Sequence, residues 1–564
     1  MKDSYPRLEP LPHEWLVPPA DQPDYLHLPG VVLDERVDLG SMMCDAQVSK
    51  GLGDVIAIMH HESGRQITYR ELVQLTDQAA CDLHDQQVRA GDRVAIRGPN
   101  CPEFIIAAIG AWKIGAVVTL IPAVARSSEV RHFLADTQPS VVVLLQPEDP
   151  DVMAVLQEAP GLTIVTGGIA GGASSRPSSR SAPRHRPRPP VSTDLDRVAI
   201  VWHTGGTTGV PKGCYHTQRR FLLAGLSLGR AAGAAPGQRW AAAAPIGHAL
   251  GFIHSTNFTL LNGATLVLVS EFAKPAVVLE ALAVRKVTQF TAIAASWAGM
   301  LDILDADRGP EPTHLRRGYA MWQSSSASEV VRGWGRRGVR LLNNFGSTAF
   351  ATWVLVPPLD RPTPRGWLGM AAPGYEVLAI EPDLSGGADP LPAGRQGRMA
   401  VRGPSGLTYW RLPDKQRADV RFGFSLHDDL ICFGTAENQG IAEYLGRTDF
   451  MISTAGNKVA PVEVEEVLGS HPAVREAVVF GMPDAVRHEI VAAFVVLQDP
   501  AAASEGLRRE LQSLVKLKLA PYKYPRRLDF IQSIPRDTVG KVQPRVLKDL
   551  VLGVHKSAKE EGQE

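Results

Sequence analysis

The segment from Thr204 to Gly213 combines residue types that suit phosphate binding. Its glycines let backbone N–H groups approach phosphate oxygens, its threonines supply hydroxyl donors, and Lys212 supplies a compact positive charge. It is not the P-loop of kinases and GTPases, because Pro211 precedes Lys212 and Gly213 replaces the Ser or Thr that would hold magnesium. For a bare glycine-rich run the alternative is a flexible turn between a strand and a helix.

The complete ten-residue string favours phosphate binding, because it matches the signature of the adenylate-forming superfamily. The chain resembles the acyl-CoA synthetases, peptide-synthetase adenylation domains and luciferases, and within them the benzoate and anthranilate CoA ligases. The resemblance runs from Ile67 to Leu547, interrupted by residues 167–193. It implies an AMP-forming ligase that uses ATP and Mg²⁺, with CoA as the expected co-substrate.

The resemblance also implies which residues bind the nucleotide. Phe345 would stack on adenine, Gly346 would pass close to the substrate carboxylate, and Thr348 would bond the α-phosphate. Asp429 would accept from both ribose hydroxyls, although an Asp-Asp pair is ordinarily a solvated turn. The full predicted ATP/AMP set is Thr204, Gly205, Gly206, Thr207, Thr208, Gly209, Lys212, Ser326, Ala327, Asn344, Phe345, Gly346, Ser347, Thr348, Asp429 and Arg447.

Three further positions carry over from the family as catalytic or hinge residues. Lys541, in a Gly-Lys turn near the C-terminus, would bridge substrate carboxylate and α-phosphate as negative charge develops. Thr348 and His248 join it as predicted catalytic residues, although a lone histidine beside apolar residues is more often structural. Asp449 falls on the hinge about which the C-terminal domain would rotate.

The predicted acyl pocket and tunnel consist of His248, Gly251, Ser296 and Gly456. The run from Thr291 to Trp297 is expected to form one pocket wall. Ala349 departs from the family, which has a glutamate there that helps to hold Mg²⁺. Because alanine offers no oxygen ligand, the protein ligands of the metal stay unassigned.

Alternating helical and strand-like patterns must position these residues. The run from Ile67 to Val88 has helical spacing, and continuous apolar runs near residues 93–98, 116–121 and 140–145 are typical of parallel strands. We therefore predict an α/β protein. It has a large N-terminal domain of doubly wound βα units over residues 1–448, and a small, mobile α+β lid domain over residues 449–564. Residues 1–45 are predicted to form a surface arm, and residues 167–193 a disordered loop.

The amino-acid composition narrows the classes of protein to which the chain could belong. The chain has 564 residues, with 59 basic and 59 acidic side chains, which argues against a general nucleic-acid binder. Five scattered cysteines without a CxxC pair indicate reduced thiols. The apolar stretch from Phe104 to Pro122 fits a buried helix and strand better than a membrane span. We expect a cytoplasmic protein without a membrane partner; the oligomeric state, a homodimer included, is open.

Three functions are compatible with these features. The leading prediction is ligation of a small aromatic acid to CoA, because Gly403–Gly406, Ser453–Asn457 and Ala520–Arg526 resemble benzoate-type ligases. The second is a diazotase that adenylates nitrite and diazotises an aromatic amine, since Ala349 and His427–Asp429 depart from the usual motifs. The third is a nucleotide-binding protein that has lost turnover.

Overall fold

The computed structural model describes residues 11–167, 194–204, 211–320, 328–364, 367–447, 452–454, 457–484 and 487–536. The predicted loop at 167–193 lies outside these residues except for Gly167. The predicted domain boundary at 448/449 also lies outside them, so it stays a prediction.

A largely parallel sheet forms one layer of the N-terminal part. Its order is β13-β12-β11-β9-β10-β1-β2, and the edge strand β2 alone runs antiparallel among these described strands. The strands are β1 (Ile56–His60), β2 (Gln66–Thr68), β9 (Arg239–Ala243), β10 (Thr265–Leu268), β11 (Gln289–Ala292), β12 (Arg317–Ala320) and β13 (Arg340–Asn343).

A second sheet has the order β6-β5-β3-β4-β7-β8 and is parallel except for β8 within the described chain. Its strands are β3 (Arg93–Arg97), β4 (Val117–Ile121), β5 (Val141–Leu144), β6 (Thr163–Thr166), β7 (Val198–Thr204) and β8 (Lys212–Thr217). These two sheets confirm the predicted doubly wound architecture.

Helices connect and cover the sheets. The buried helix and strand predicted between Phe104 and Pro122 are present as α4 and β4, and no helix of the described chain is long and apolar enough to cross a membrane. The helices are α1 (Leu39–Met43), α2 (Asp45–Gln47), α3 (Tyr69–Asp85), α4 (Pro102–Lys113), α5 (Ser127–Thr137), α6 (Pro150–Glu158), α7 (Gln218–Ala232), α8 (Ala249–Phe252), α9 (Phe258–Leu261), α10 (Pro275–Val284), α11 (Ala294–Asp305), α12 (Ser328–Arg336), α13 (Pro413–Asp419), α14 (Pro461–Gly469) and α15 (Glu505–Lys518).

An antiparallel sheet follows the two parallel ones, and the sequence patterns do not predict it. Its order in the described chain is β14-β15-β16-β21-β20-β18-β17, with β19 added to β20. The strands are β14 (Phe345–Ser347), β15 (Thr352–Val356), β16 (Trp367–Ala371), β17 (Glu376–Ile380), β18 (Gln396–Arg402), β19 (Val420–Arg421), β20 (Phe424–Phe433) and β21 (Ala442–Arg447). This sheet carries the predicted Phe345, Asp429 and Arg447.

The C-terminal part has a core of its own. α14 and α15 pack on a described sheet of order β23-β22-β25-β24, and β26 pairs with β25. The strands are β22 (Ile452–Thr454), β23 (Asn457–Val459), β24 (Val474–Asp484), β25 (His488–Leu497) and β26 (Arg527–Phe530). An independent apolar core of this kind is typical of a separate domain.

The described part of the predicted N-terminal arm is held by aromatic and backbone contacts, but the prediction of a surface arm is wrong at its end, because Leu39, Met43 and Cys44 are fully buried in the main core. The Trp15 ring packs edge-on against Trp410 with centroids 5.4 Å apart, and the backbone N–H of Val17 donates to the Tyr215 hydroxyl at 3.0 Å. Tyr25 lies under the Arg220 guanidinium at 3.6 Å. The arm therefore contacts β8, α7 and the segment between β18 and α13.

Candidate nucleotide and acyl site

The glycine-rich segment closes a β-hairpin. β7 and β8 pair antiparallel in a register that places Thr204 opposite Lys212, so residues 205–210 connect two strands. A turn between a strand and a helix, the alternative considered above, is therefore wrong: α7 begins only after β8. The cause is the buried run after Lys212, which extends the sheet before the chain turns into a helix.

Helix α5 anchors both strands of the hairpin. His132 Nε2 donates to the Pro211 carbonyl at 2.9 Å, because a carbonyl can only accept. Asp136 Oδ2 lies 2.8 Å from His203 Nε2. No sequence signal identifies His132 and Asp136, because they lie 79 and 67 residues before Pro211 and His203, the residues that they contact.

Asp429 is a buried carboxylate in the middle of β20, so the solvated-turn alternative is wrong. Its side chain is 5% exposed, whereas that of Asp428 is 50% exposed, as expected for successive residues of a strand. Tyr444 donates its hydroxyl to Oδ1 at 3.0 Å. His427 Nδ1 contacts Oδ2, and Arg447 Nη1 lies 3.8 Å from the same oxygen.

The charge of Asp429 is stabilised despite its burial. Burial raises the pKa of this carboxyl. Three neighbours lower it by more: His427 through its charge and hydrogen bond, Arg447 through its charge, and Tyr444 through its hydroxyl. The net pKa is lowered, so the group is ionised near neutral pH. Each carboxylate oxygen has two lone pairs, which leaves acceptor capacity for two hydroxyls of a diol.

A break in strand register brings two side chains of β21, Tyr444 and Arg447, to this carboxylate. Asp429 pairs with Arg447, but the register shifts between Leu430 and Ile431, so that Ile431 faces Tyr444. Without the shift, residues three apart on β21 would point to opposite faces. No sequence signal identifies Tyr444, because the position of such a shift depends on the pairing.

Phe345 joins this cluster through its ring. The ring lies perpendicular to His427 with centroids 5.4 Å apart and nearly parallel to Tyr444 at 6.3 Å. The structure therefore brings the predicted base-stacking residue next to the predicted ribose and phosphate residues. Stacking of adenine on Phe345 stays a prediction.

Asn344 and Gly346 have structural roles that the sequence did not indicate. In the orientation that satisfies both partners, the Asn344 amide donates to the Ala320 carbonyl and accepts from Trp353 Nε1 at 2.9 Å. A Cβ on Gly346 would lie less than 3.0 Å from the Thr352 carbonyl oxygen and from a ring carbon of Trp353. Glycine is thus required here by the close pairing of β14 and β15.

The turn after β14 places Thr348 beside the hairpin. The Thr348 carbonyl accepts from Trp202 Nε1 and His216 Nε2, each at 3.1 Å. The neighbouring Ser347 Oγ is buried and has no hydrogen-bond partner among the described residues. A hydroxyl of this kind fits a site that is completed by a polar ligand.

Ala349 is buried in the main hydrophobic core. The described residues contain no cluster of three or more His, Cys, Asp or Glu side chains that could hold a metal. Mg²⁺ is often bound through substrate phosphates and waters with only one or two carboxylates. Position 349 therefore offers no oxygen ligand to such a metal.

His248 caps the helix that follows it. Its Nδ1 accepts from the Leu250 backbone N–H at 3.3 Å at the start of α8, which continues through a π-helical turn, Ile253–Asn257, into α9. Asn100 holds the preceding loop by bonding Ala244 and Ile246. A Cβ on Gly251 would lie less than 3.0 Å from the Pro245 carbonyl oxygen, so glycine allows this helix to pack on that loop.

Only part of the predicted pocket wall between Thr291 and Trp297 is exposed to a possible ligand. Ser296 lies in the first turn of α11 and is partly exposed. Trp297 is fully buried against Phe290 and Trp334, so its inclusion in a pocket wall is wrong. A large aromatic ring is most stable in the core when it has packing partners on several sides.

The other predicted residues cannot be placed. The Thr204 side chain and Gly205, Gly206, Thr207, Thr208, Gly209, Ser326, Ala327, Asp449, Gly456 and Lys541 lie outside the described part of the chain. Their roles stay predictions.

Gly346→Ala should lower both thermal stability and activity, because the added methyl group would collide with backbone atoms of β15. We expect a destabilisation of about 2 kcal/mol, in the range of overpacking in a dense interior. The fall in melting temperature measured by differential scanning fluorimetry would reveal it. Gly335→Ala is the matched control, since a Cβ there meets open space on α12; a loss of stability at both positions would contradict the steric argument.

Asp429 should contribute stability that depends on pH. Because its folded pKa is lowered, the contribution is present above the unfolded pKa of about 4 and is lost as pH falls through the folded value. We expect Asp429→Asn to show a smaller acid-induced drop in melting temperature than the unmodified protein below about pH 4. The half-exposed Asp428 provides a matched Asn variant that should keep the original profile; the same profile for all three proteins would contradict the assignment.

Comparison with known proteins agrees with this geometry. The chain is 29% identical over 521 residues to benzoate–CoA ligase of Thauera aromatica, covering 91% of this chain and 96% of that protein. It is 30% identical over 501 residues to a feruloyl-CoA synthase of Amycolatopsis sp, covering 86% and 94%. A crystal structure of the anthranilate CoA ligase AuaEII with anthranoyl-AMP superposes with a TM-score of 0.79 at 23% identity, over 93% of this chain and 99% of that one, and shows the shared fold.

The family models agree with the two structural parts. Residues 45–410 match the model of AMP-binding enzymes, and residues 463–541 match the model of the AMP-binding enzyme C-terminal domain. The chain belongs to the AMP-binding enzyme family.

Proposed function

We propose that the enzyme adenylates a small aromatic carboxylic acid with ATP, releases pyrophosphate and transfers the acyl group to CoA. The observation that carries this proposal is the meeting of Asp429, Arg447 and Phe345 beside the Thr348 turn, to which the glycine-rich hairpin is hydrogen-bonded. An ionised diol acceptor, an aromatic ring and a phosphate-type loop are the three elements that adenosine triphosphate requires.

Four site residues that the structure describes have roles in the proposed reaction. Asp429 accepts from the ribose hydroxyls, Arg447 offers positive charge beside them, and Lys212 starts β8 at the end of the phosphate loop. Thr348 donates to the α-phosphate when the substrate carboxylate attacks it. Mg²⁺, when bound, would supply charge neutralisation for the phosphates.

The choice of an aromatic acid is supported by the relatives. Besides the benzoate and feruloyl enzymes, a 3-hydroxybenzoate–CoA ligase of Aromatoleum sp. strain CIB is 26% identical over 522 residues. We assign the acyl pocket to the region of His248, Gly251 and Ser296. The capped start of α8 gives this region a fixed backbone on one side.

The C-terminal part acts as the lid in this proposal. We propose that the C-terminal lid domain begins at Asp449, between β21 and β22, and that the same residue is its hinge. Helix α14 packs against β21, and burial, with the charge of Glu466 as a second cause, raises the pKa of Glu443 on that strand. In this proposal, the like charges of Glu443 and Glu466 disfavour the docked arrangement, which suits a lid that must leave it during the cycle.

A substrate screen tests the proposed reaction. Purified enzyme with MgATP should release pyrophosphate with a small set of benzoates, hydroxybenzoates, aminobenzoates and cinnamates, and adding CoA should give the matching thioester in mass spectrometry. Hexanoate serves as the aliphatic control. If no aryl acid gave pyrophosphate release while hexanoate did, the assignment of an aromatic acid as substrate would be contradicted.

The same screen separates the other functions. Nitrite-dependent AMP formation with an aromatic amine and without CoA would replace the proposal by a diazotase, an outcome to which the alanine at position 349 gives weight. ATP binding in calorimetry without AMP formation from any acid would indicate a protein without turnover.

Lys541→Ala should separate the two half-reactions. If Lys541 assists attack at the α-phosphorus, its loss should lower acid-dependent pyrophosphate release by about 100-fold or more, as for other groups that stabilise developing charge. Thioester formation from chemically prepared acyl-AMP should change much less. Lys548→Ala is the nearby control, and an unchanged rate of pyrophosphate release in Lys541→Ala would contradict the role.

A further inference from the structure

A single backbone carbonyl receives a side chain from each strand of the glycine-rich hairpin. Trp202 on β7 and His216 on β8 both donate to Thr348 O, at 3.1 Å each. The two rings also contact each other edge-on, with centroids 5.5 Å apart. We call Trp202 and His216 the carbonyl clamp.

The clamp is built as a buried unit. Trp202 and His216 are 1% and 2% exposed, and the carbonyl accepts from a ring N–H of each. Burial lowers the pKa of His216 to about 4, so the imidazole is neutral near pH 7, and its donating nitrogen must be Nε2. A neutral donor adds no charge to the buried pair, which keeps the contact constant across the physiological pH range.

The turn that the clamp holds is strained. Thr348–Phe350 form one 3-10 turn, and the next residue, Ala351, has a φ of 53° in the left-handed region. A residue with a Cβ adopts this conformation only when its surroundings fix it. The Ala351 N–H bonds the same Thr348 carbonyl at 3.4 Å, so the clamp and the turn share one acceptor.

We propose that Trp202 and His216 are positioning residues, which tie the phosphate loop and Thr348 into one unit so that both reach the same nucleotide phosphates. This inference rests on the proposed function of Thr348. The hydrogen bonds connect the turn to strands that flank residues 205–210, so that a shift of the hairpin would shift Thr348 with it. The clamp residues themselves contact no reacting atom.

The first test removes the histidine donor. His216→Phe keeps a planar ring but cannot donate, and we expect kcat for acid-dependent pyrophosphate release to fall about tenfold while KM for MgATP changes less than about twofold. His216→Gln restores an N–H donor and should recover most of kcat. Equal losses in both variants, or none in His216→Phe, would overturn the proposal.

A double-mutant cycle asks whether His216 acts through Thr348. If it does, His216→Phe should have little further effect on kcat in a Thr348→Ala background, whereas independent effects would multiply. Multiplicative effects would overturn the positioning role while leaving the proposed function intact. An unchanged rate in Thr348→Ala alone would instead contradict the assigned α-phosphate contact, so the two failures are distinguishable.

Trp202 has a matched control in Trp112. Both are buried tryptophans that donate to a backbone carbonyl, Trp112 Nε1 to Ala199 O at 2.7 Å. Trp202→Phe and Trp112→Phe should therefore lower the melting temperature by similar amounts, but only Trp202→Phe should lower kcat several-fold. Equal losses of kcat in the two variants would show general destabilisation and overturn the proposal.

Discussion

The carboxylate of Asp429 is the constraint around which the site is arranged. A charge removed from water is tolerated only when it is paired and hydrogen-bonded, because desolvation of an unpaired ion costs several kcal/mol or more. Here a histidine, a tyrosine hydroxyl and an arginine satisfy it. These partners come from two strands with a shifted register, and their rings in turn pack on Phe345. One buried charge thus fixes the local structure of the antiparallel sheet.

Three distant segments meet at this region by different physical means. The hairpin of β7 and β8 is attached through neutral hydrogen bonds to one carbonyl, the turn after β14 through a glycine that permits close strand pairing, and β20 and β21 through ionic contacts. Neutral bonds and steric fit are insensitive to salt, whereas the ionic contacts respond to a bound polyanion.

The sequence predicted the parts of the fold that have a local signal. Continuous apolar runs located β3, β4 and β5, and Thr68 caps α3 where the helical spacing starts. The antiparallel sheet was not predicted, because its pairing is set by long-range contacts and interrupted by register shifts. Asp429 was identified from its motif, but Tyr444 and the clamp residues were not. Their hydrogen bonds join residues far apart in the sequence, and such contacts produce no periodic pattern in it. Gly346 was assigned to the substrate although its immediate constraint is the neighbouring strand.

The alanine at position 349 changes the electrostatics of the proposed reaction. A carboxylate in this buried position would need a metal or a cation beside it, and it would add negative charge where a triphosphate must bind. Alanine removes both the ligand and that repulsion. On the proposed function, Lys212 and Arg447 would then be the described side chains that balance the phosphate charge, and a bound Mg²⁺ would supply further charge neutralisation.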